Sequence, residues 1–210
     1  MTAAVVLAAG HADRMGSNKL TLPLGSGTVV GHVIATALAA CDNVIVVIAL
    51  HDLVTRAAVE LAARTSGAEG RVQVAEGVPY DPGMFISVQA GLRRAEGADV
   101  VLIFPGDIPL VQPETAFAVR DAVQVERVDA AVPSCEGRRG HPVAVSARCV
   151  PELLAMSEHS TLRQFMSVHS STTKLVLVDD YGMLLDMDTP DEYDRVLECS
   201  RSAYPTAKEV

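Results

Sequence analysis

Leu7-Ala8-Ala9-Gly10-His11-Ala12-Asp13-Arg14-Met15-Gly16-Ser17-Asn18-Lys19-Leu20 carries the apolar run 3–7 into a turn that holds two glycines, an arginine and a lysine. An apolar run of strand length that ends this way reads as a β-strand delivering a phosphate clamp. Backbone N–H groups of a glycine-rich turn can point together at an anion, while a guanidinium and an ammonium offset its charge. The glycines do not follow the G-x-G-x-x-G spacing, and Lys19 lies three residues beyond Gly16 instead of directly after it. The dinucleotide fingerprint and the P-loop are thereby excluded. An ordinary strand exit with solvated basic residues is the competing reading.

Outward from this turn, apolar runs of strand length recur at 3–7, 44–49, 72–75, 100–104, 130–133, 143–146 and 175–178. Segments of helical length lie between or beyond them at 29–40, 53–64, 87–94, 114–123, 150–156, 161–167 and 191–199. Such alternation predicts an α/β fold: a three-layer, Rossmann-like, mostly parallel sheet with helices on both faces, its strands buried on both sides. Ligands of such sheets sit beyond the carboxyl ends of the strands, where the Gly10 turn and the Gly106-Asp107 turn both fall. No linker or repeat divides the chain, so one domain is expected over 1–200, with 201–210 a polar, fraying tail.

Composition narrows the function classes. The 210 residues carry a net charge of −9 with the basic residues scattered, which argues against a nucleic-acid binder. No apolar run approaches the roughly 18 residues of a membrane helix, and the apolar start lacks a basic leader, so a soluble cytoplasmic protein is expected. Cys41, Cys135, Cys149 and Cys199 are far apart and read as reduced thiols. The histidines, His141 with His11, His159 and His169, make no zinc spacing.

Four further segments bear chemistry. The run 100–111, Val-Val-Leu-Ile-Phe-Pro-Gly-Asp-Ile-Pro-Leu-Val, is a buried strand that presents Asp107 on a turn at its carboxyl end. A single hard carboxylate there suits magnesium, which keeps several waters and takes its remaining oxygens from phosphates; a turn- or cap-forming Asp is the alternative. In Leu184-Leu185-Asp186-Met187-Asp188-Thr189-Pro190 the two aspartates alternate and would share one face, with helix capping as the competing role. Gly83, followed by Ser87, opens a helix whose free N–H groups could meet a phosphate or a base edge. Gly137-Arg138-Arg139-Gly140-His141-Pro142 gathers two guanidiniums and an imidazole in an otherwise acidic chain, an anion-receiving loop; His141 could instead be a strand-edge histidine satisfied by backbone.

These segments together resemble the nucleotidyltransferases that activate sugars, isoprenoid precursors and molybdopterin. Leu7-Ala8-Ala9-Gly10, Arg14-Met15-Gly16, Lys19-Leu20 and Leu22-Pro23-Leu24, with Gly106-Asp107-x-Pro109-Leu110-Val111, Asp186-x-Asp188-Thr189-Pro190 and the Gly-Arg-Arg-Gly-His-Pro string, look most like the molybdenum cofactor cytidylyltransferase branch. The resemblance implies a nucleotide-diphospho-sugar transferase-like fold and transfer of a nucleotide from CTP to the phosphate of molybdopterin, with pyrophosphate released. It implies nucleotide contacts from Leu7, Ala8, Ala9, Gly10, Arg14, Lys19, Gly83, Ser87, Gly106 and Asp107, with Arg14, Lys19 and Asp107 catalytic. Magnesium would sit on Asp107 and Asp188, the acceptor on Arg138, Arg139 and His141, and an apo molybdenum hydroxylase would be the docking partner. Four departures stand out: His11 and Ala12 in the first loop, and Phe85 and Ile86 where the family carries serines. The Ala9 position disfavours the guanylyltransferase branch, which has Gly there. Another nucleotide with another phosphorylated acceptor, such as a sugar phosphate, and a non-catalytic cofactor carrier are the alternatives.

Overall fold

A computed structural model describes residues 1–10, 18–78 and 83–203. The first strand, β1 (Thr2–Ala8), shows how the sheet is built. Successive side chains of a strand point to opposite faces. Ala4, Val6 and Ala8 accordingly enter one apolar cluster, and Ala3 and Val5 enter another. With both faces buried, β1 can only be central.

It is flanked in parallel by β4 (Asn43–Ala49) and β6 (Val100–Pro105), and β4 pairs in parallel with β5 (Val72–Val78). The hairpin β2 (Pro23–Leu24) and β3 (Gly27–Thr28) stands apart. On the other side of β6 come β9 (Val143–Ser146), β7 (Ala130–Cys135) and β10 (Thr173–Leu177), in the order β10-β7-β9-β6-β1-β4-β5, with β8 (Arg138–Arg139) beside β7. The sheet is mostly parallel, as the alternation predicts, but β9 runs against both β6 and β7. The cause is local. A parallel return needs a crossover of a dozen or more residues. The chain instead folds back at once through the two-residue turn Glu136-Gly137, both with positive φ (50 and 78°), the geometry that matches strand twist in tight hairpins.

Helices α1 (Val29–Ala40), α2 (Leu53–Thr65) and α4 (Pro113–Glu126) cover one face. Helices α3 (Met84–Leu92), α5 (Val150–Ala155) and α6 (Leu162–Val168) cover the other, completing three layers. The last helix, α7 (Pro190–Ala203), packs Val196 against Leu24, Leu185 and Met187. Several boundaries differ from the sequence pattern; α4 runs on to Glu126 and β5 to Val78. Helix α3 starts at Met84 instead of 87, and α7 runs on to Ala203. Among the described residues no helix is long and apolar enough to cross a membrane.

Candidate active site

The cleft is framed where β1 and β6 end together. Leu7 is in register with Pro105, and the Gly106 amide donates to the Leu7 carbonyl at 2.9 Å. A Cβ on residue 106 would lie 2.7 Å from that carbonyl oxygen, so only glycine lets the two strand exits approach this closely. Asp107 follows immediately and is thereby held beside the Gly10 turn.

Lys19 reaches the same point from a short 3-10 turn. Its N-cap Asn18 accepts from the Leu20 amide (3.2 Å) and donates to Thr55 Oγ1 (2.8 Å), which fastens the turn to α2. The Lys19 side chain is only 9% exposed, and its Nζ donates to Asp107 Oδ2 and to Asp188 Oδ1, both at 2.6 Å. Burial alone would lower the ammonium's pKa, but the Asp107 and Asp188 carboxylates outweigh it and hold the group above its ordinary value. Lys19 is therefore a fixed positive charge.

The stretch 185–187 takes no regular secondary structure, and Asp188 lies in a bend before α7. Leu185 and Met187 are buried, while Asp186 and Asp188 turn to the cleft, as the alternation predicts. Capping of α7 falls to other residues. Glu192 Oε2 accepts from the Asp188 and Thr189 amides (2.8 Å each), and Thr189 Oγ1 accepts from the Glu192 amide at 3.4 Å. This reciprocal Thr-x-x-Glu cap leaves the Asp188 carboxylate to Lys19. Among the described residues Asp107 caps nothing either: the buried Asp180 serves α4, accepting from the Gln112 amide (2.9 Å) and Thr115 Oγ1 (2.7 Å).

The residues gathered here fit a divalent cation. Asp107 and Asp188 offer hard oxygens converging from two elements, and Asp186 adds a third carboxylate nearby. Burial, and then the neighbouring Glu192, Asp107 and Asp188 carboxylates, push the Asp186 pKa up, a sign of crowded negative charge. Among the described residues no group of three His, Cys, Asp or Glu is placed to cage a metal. Two carboxylates that leave the remaining positions to phosphate oxygens and water are the donor set magnesium prefers.

Two cavities meet at this point. The first, about 470 Å³, is lined by Leu7, Ala9, Gly10, Lys19, Ser87 and Asp107 among others. Ala8 points into the core instead, and Gly106 serves the frame. The N-cap of α3, Gly83, has no side-chain cap, so among the described residues no capping side chain closes the positive end of the helix beside this cavity. The second cavity, about 500 Å³, shares Gly83, Met84 and His141 with the first and extends past Phe85 and Arg139 to α6. His141 stands at the junction. Burial holds its pKa below the usual imidazole value, and its buried Nδ1 has no hydrogen-bond partner among the described residues. Arg139 lines the second cavity, whereas its neighbour Arg138, one step along the strand, lines neither. Arg14, with His11 and Ala12, lies outside the described residues. Phe85 and Ile86 do not enter the first cavity: Phe85 lines the second, and Ile86 packs on the core. The α6 wall was not legible as part of a site, since its sequence signal, Thr161-x-x-Gln164, announces only a helix start.

Residues 4–173 match the family described as the MobA-like NTP transferase domain. The chain belongs to this family. The protein is thus an NTP transferase, a nucleotidyltransferase. The NTP transferase is 27% identical over 191 residues to the molybdenum cofactor cytidylyltransferase of Escherichia coli (strain K12), covering 90% of this chain and 92% of the relative. It is 31% identical over 199 residues to the purine catabolism protein PucB of Bacillus subtilis (strain 168), covering 91% and 94%. Among solved structures, Rv0371c of Mycobacterium tuberculosis H37Rv in complex with manganese superposes with a TM-score of 0.69 at 29% identity, over 94% of this chain and 98% of that one.

Proposed function

We propose that the protein transfers CMP from CTP to the phosphate of the molybdenum–molybdopterin cofactor, with magnesium as its cation. The observation that carries the reading is the sharing of Gly83, Met84 and His141 by two cavities, one lined by Lys19 and three aspartates, the other with apolar side chains and Arg139 in its wall. The likeness to a molybdenum cofactor cytidylyltransferase over nearly the whole chain supports the acceptor. The Ala9 methyl in the wall of the first cavity supports CTP over GTP.

In this reading the triphosphate lies in the first cavity against the α3 amides and Lys19, whose charge is fixed by its burial between carboxylates. Asp107 and Asp188 would hold the magnesium ion, which when bound neutralises charge on the triphosphate. Arg139 and His141 turn an acceptor phosphate oxygen toward the α-phosphorus. That oxygen forms the new P–O bond, the α–β bridging bond breaks, and the electron pair leaves on pyrophosphate. The acceptor phosphate is already an anion, so no protein base is required. Placing both partners accounts for much of the rate, and the fixed positive groups stabilise charge as it shifts. The product would pass to an apo molybdenum hydroxylase.

The test is pyrophosphate release with magnesium, molybdenum-loaded molybdopterin and CTP, GTP, ATP or UTP in turn. Release with CTP alone is expected. Release with another nucleotide moves the base, and none with any nucleotide overturns the reading.

A further inference from the structure

Residues 158–163 and Met166, ahead of and along α6, line the second cavity together with His141. This wall is rigidly seated. Phe165 is buried in the core, and His169, the C-cap of α6, is held between Glu152 (2.9 Å) and Asp129 (3.2 Å). At the start of α6, Thr161 and Gln164 close a capping box that takes up the Thr161 and Gln164 amides. What the wall offers instead is Arg163. Arg56, Arg120 and Arg148 each pair with carboxylates, but Arg163 makes no ion pair or side-chain hydrogen bond among the described residues. Glu158, the carboxylate beside it in the lining, lies 3.9 Å from His159 Nε2. The same cavity is lined by the apolar side chains of Phe85, Val88 and Val143 as well.

A guanidinium without a carboxylate, presented from a fixed helix, is arranged to receive an anion bidentately. In the reading proposed above Arg139 and His141 meet the reacting phosphate, which leaves Arg163 for a different anionic group. We propose that Arg163 is a specificity-determining residue that binds a second anionic group of the acceptor, apart from the phosphate that reacts. The acceptor class is then a phosphomonoester that carries a second anionic group, which a simple sugar phosphate lacks. This inference rests on the assignment of the second cavity to the acceptor.

The experiment compares wild type, Arg163→Met and Arg163→Lys, all with unchanged melting temperature. Binding of molybdenum-loaded molybdopterin without nucleotide is followed by its absorbance, and pyrophosphate release gives KM for each substrate. Arg163→Met is expected to raise the acceptor Kd and KM about tenfold or more, with kcat and the CTP KM changed less than about twofold. Arg163→Lys should recover part of the loss, since it keeps the charge and not the fork. Equal acceptor binding by wild type and Arg163→Met, with turnover intact, overturns the role of Arg163 alone. A wild type that neither binds nor uses this acceptor overturns the proposed function and the Arg163 inference together.

Discussion

At the scale of single residues, the site turns on one ammonium held by two carboxylates. Lys19 is buried and permanently charged because Asp107 and Asp188 meet it at 2.6 Å each. Replacing it with methionine removes the charge from the cleft and leaves the two carboxylates facing each other. Lys19→Met should lower kcat for pyrophosphate release by about a hundredfold or more, the scale of losing one fixed electrostatic contact to the transition state. Asp107→Asn keeps the shape and removes the negative charge, so its loss should be similar and should not be restored by raising magnesium to tens of millimolar. Circular dichroism would show both variants folded. Wild-type rates in either would remove that residue from the machinery. Away from the cleft, Cys41 and Cys149 show the opposite use of burial: it pushes their thiols up to about 12 and about 11, so neither is a nucleophile at neutral pH.

At the scale of elements, two helix ends hold the site in place. The Thr189–Glu192 cap starts α7 and fixes the backbone at Asp188. Thr189→Ala should cost about 1 kcal/mol in urea unfolding, the usual value of an N-cap, and should also raise the magnesium concentration needed for half-maximal rate. A variant that loses stability while keeping its magnesium dependence would show that the cap and Asp188 are uncoupled. At the other end of the sheet, His169 anchors α6. The Glu152 contact, and after an opposing loss to burial the Asp129 contact, hold its pKa above the ordinary imidazole value. A histidine whose folded pKa is raised stabilises fully below its unfolded pKa of about 6.5 and loses that contribution as pH rises through the folded value. The wild type should therefore exceed His169→Gln in stability by more at pH 6 than at pH 9. An equal gap at both values would mean that His169 contributes packing on Phe165 and not charge.

At the scale of the whole molecule, both cavities lie at the carboxyl ends of the parallel strands, where loops from distant parts of the chain converge on one edge of the sheet. A ligand bound there ties those loops together. A nucleotide with magnesium at 100 times its Kd should stabilise the fold by about 2.7 kcal/mol. In a protein of this size that is a rise in melting temperature of several degrees. The rise should vanish in Asp107→Asn and persist in Arg163→Met, because the first residue serves the nucleotide cavity and the second the acceptor. If Arg163→Met also lost it, the two cavities would not bind independently.

Much of this was written locally. The opposite-facing alternation of β1, the common face of Asp186 and Asp188, the helix starts at Thr161 and Thr189, and the Gly106-Asp107 turn all follow from backbone geometry and side-chain period, which need only near neighbours in the chain. The pairings that make the site do not. Lys19 meets Asp107 across 88 positions and Asp188 across 169, and Asp180 caps α4 from 65 positions away at Thr115. The reversal of β9, the turning of Phe85 into the second cavity instead of the first, and the placing of Arg163 and His141 around one cavity belong to the same class. Each depends on which strands lie side by side and how closely the layers pack, and those are settled when the apolar faces of the whole chain are buried together. Sequence by itself determined the elements, their faces and the chemical groups available; only the tertiary structure decided which of those groups meet, because long-range burial and not local propensity brings them to one place.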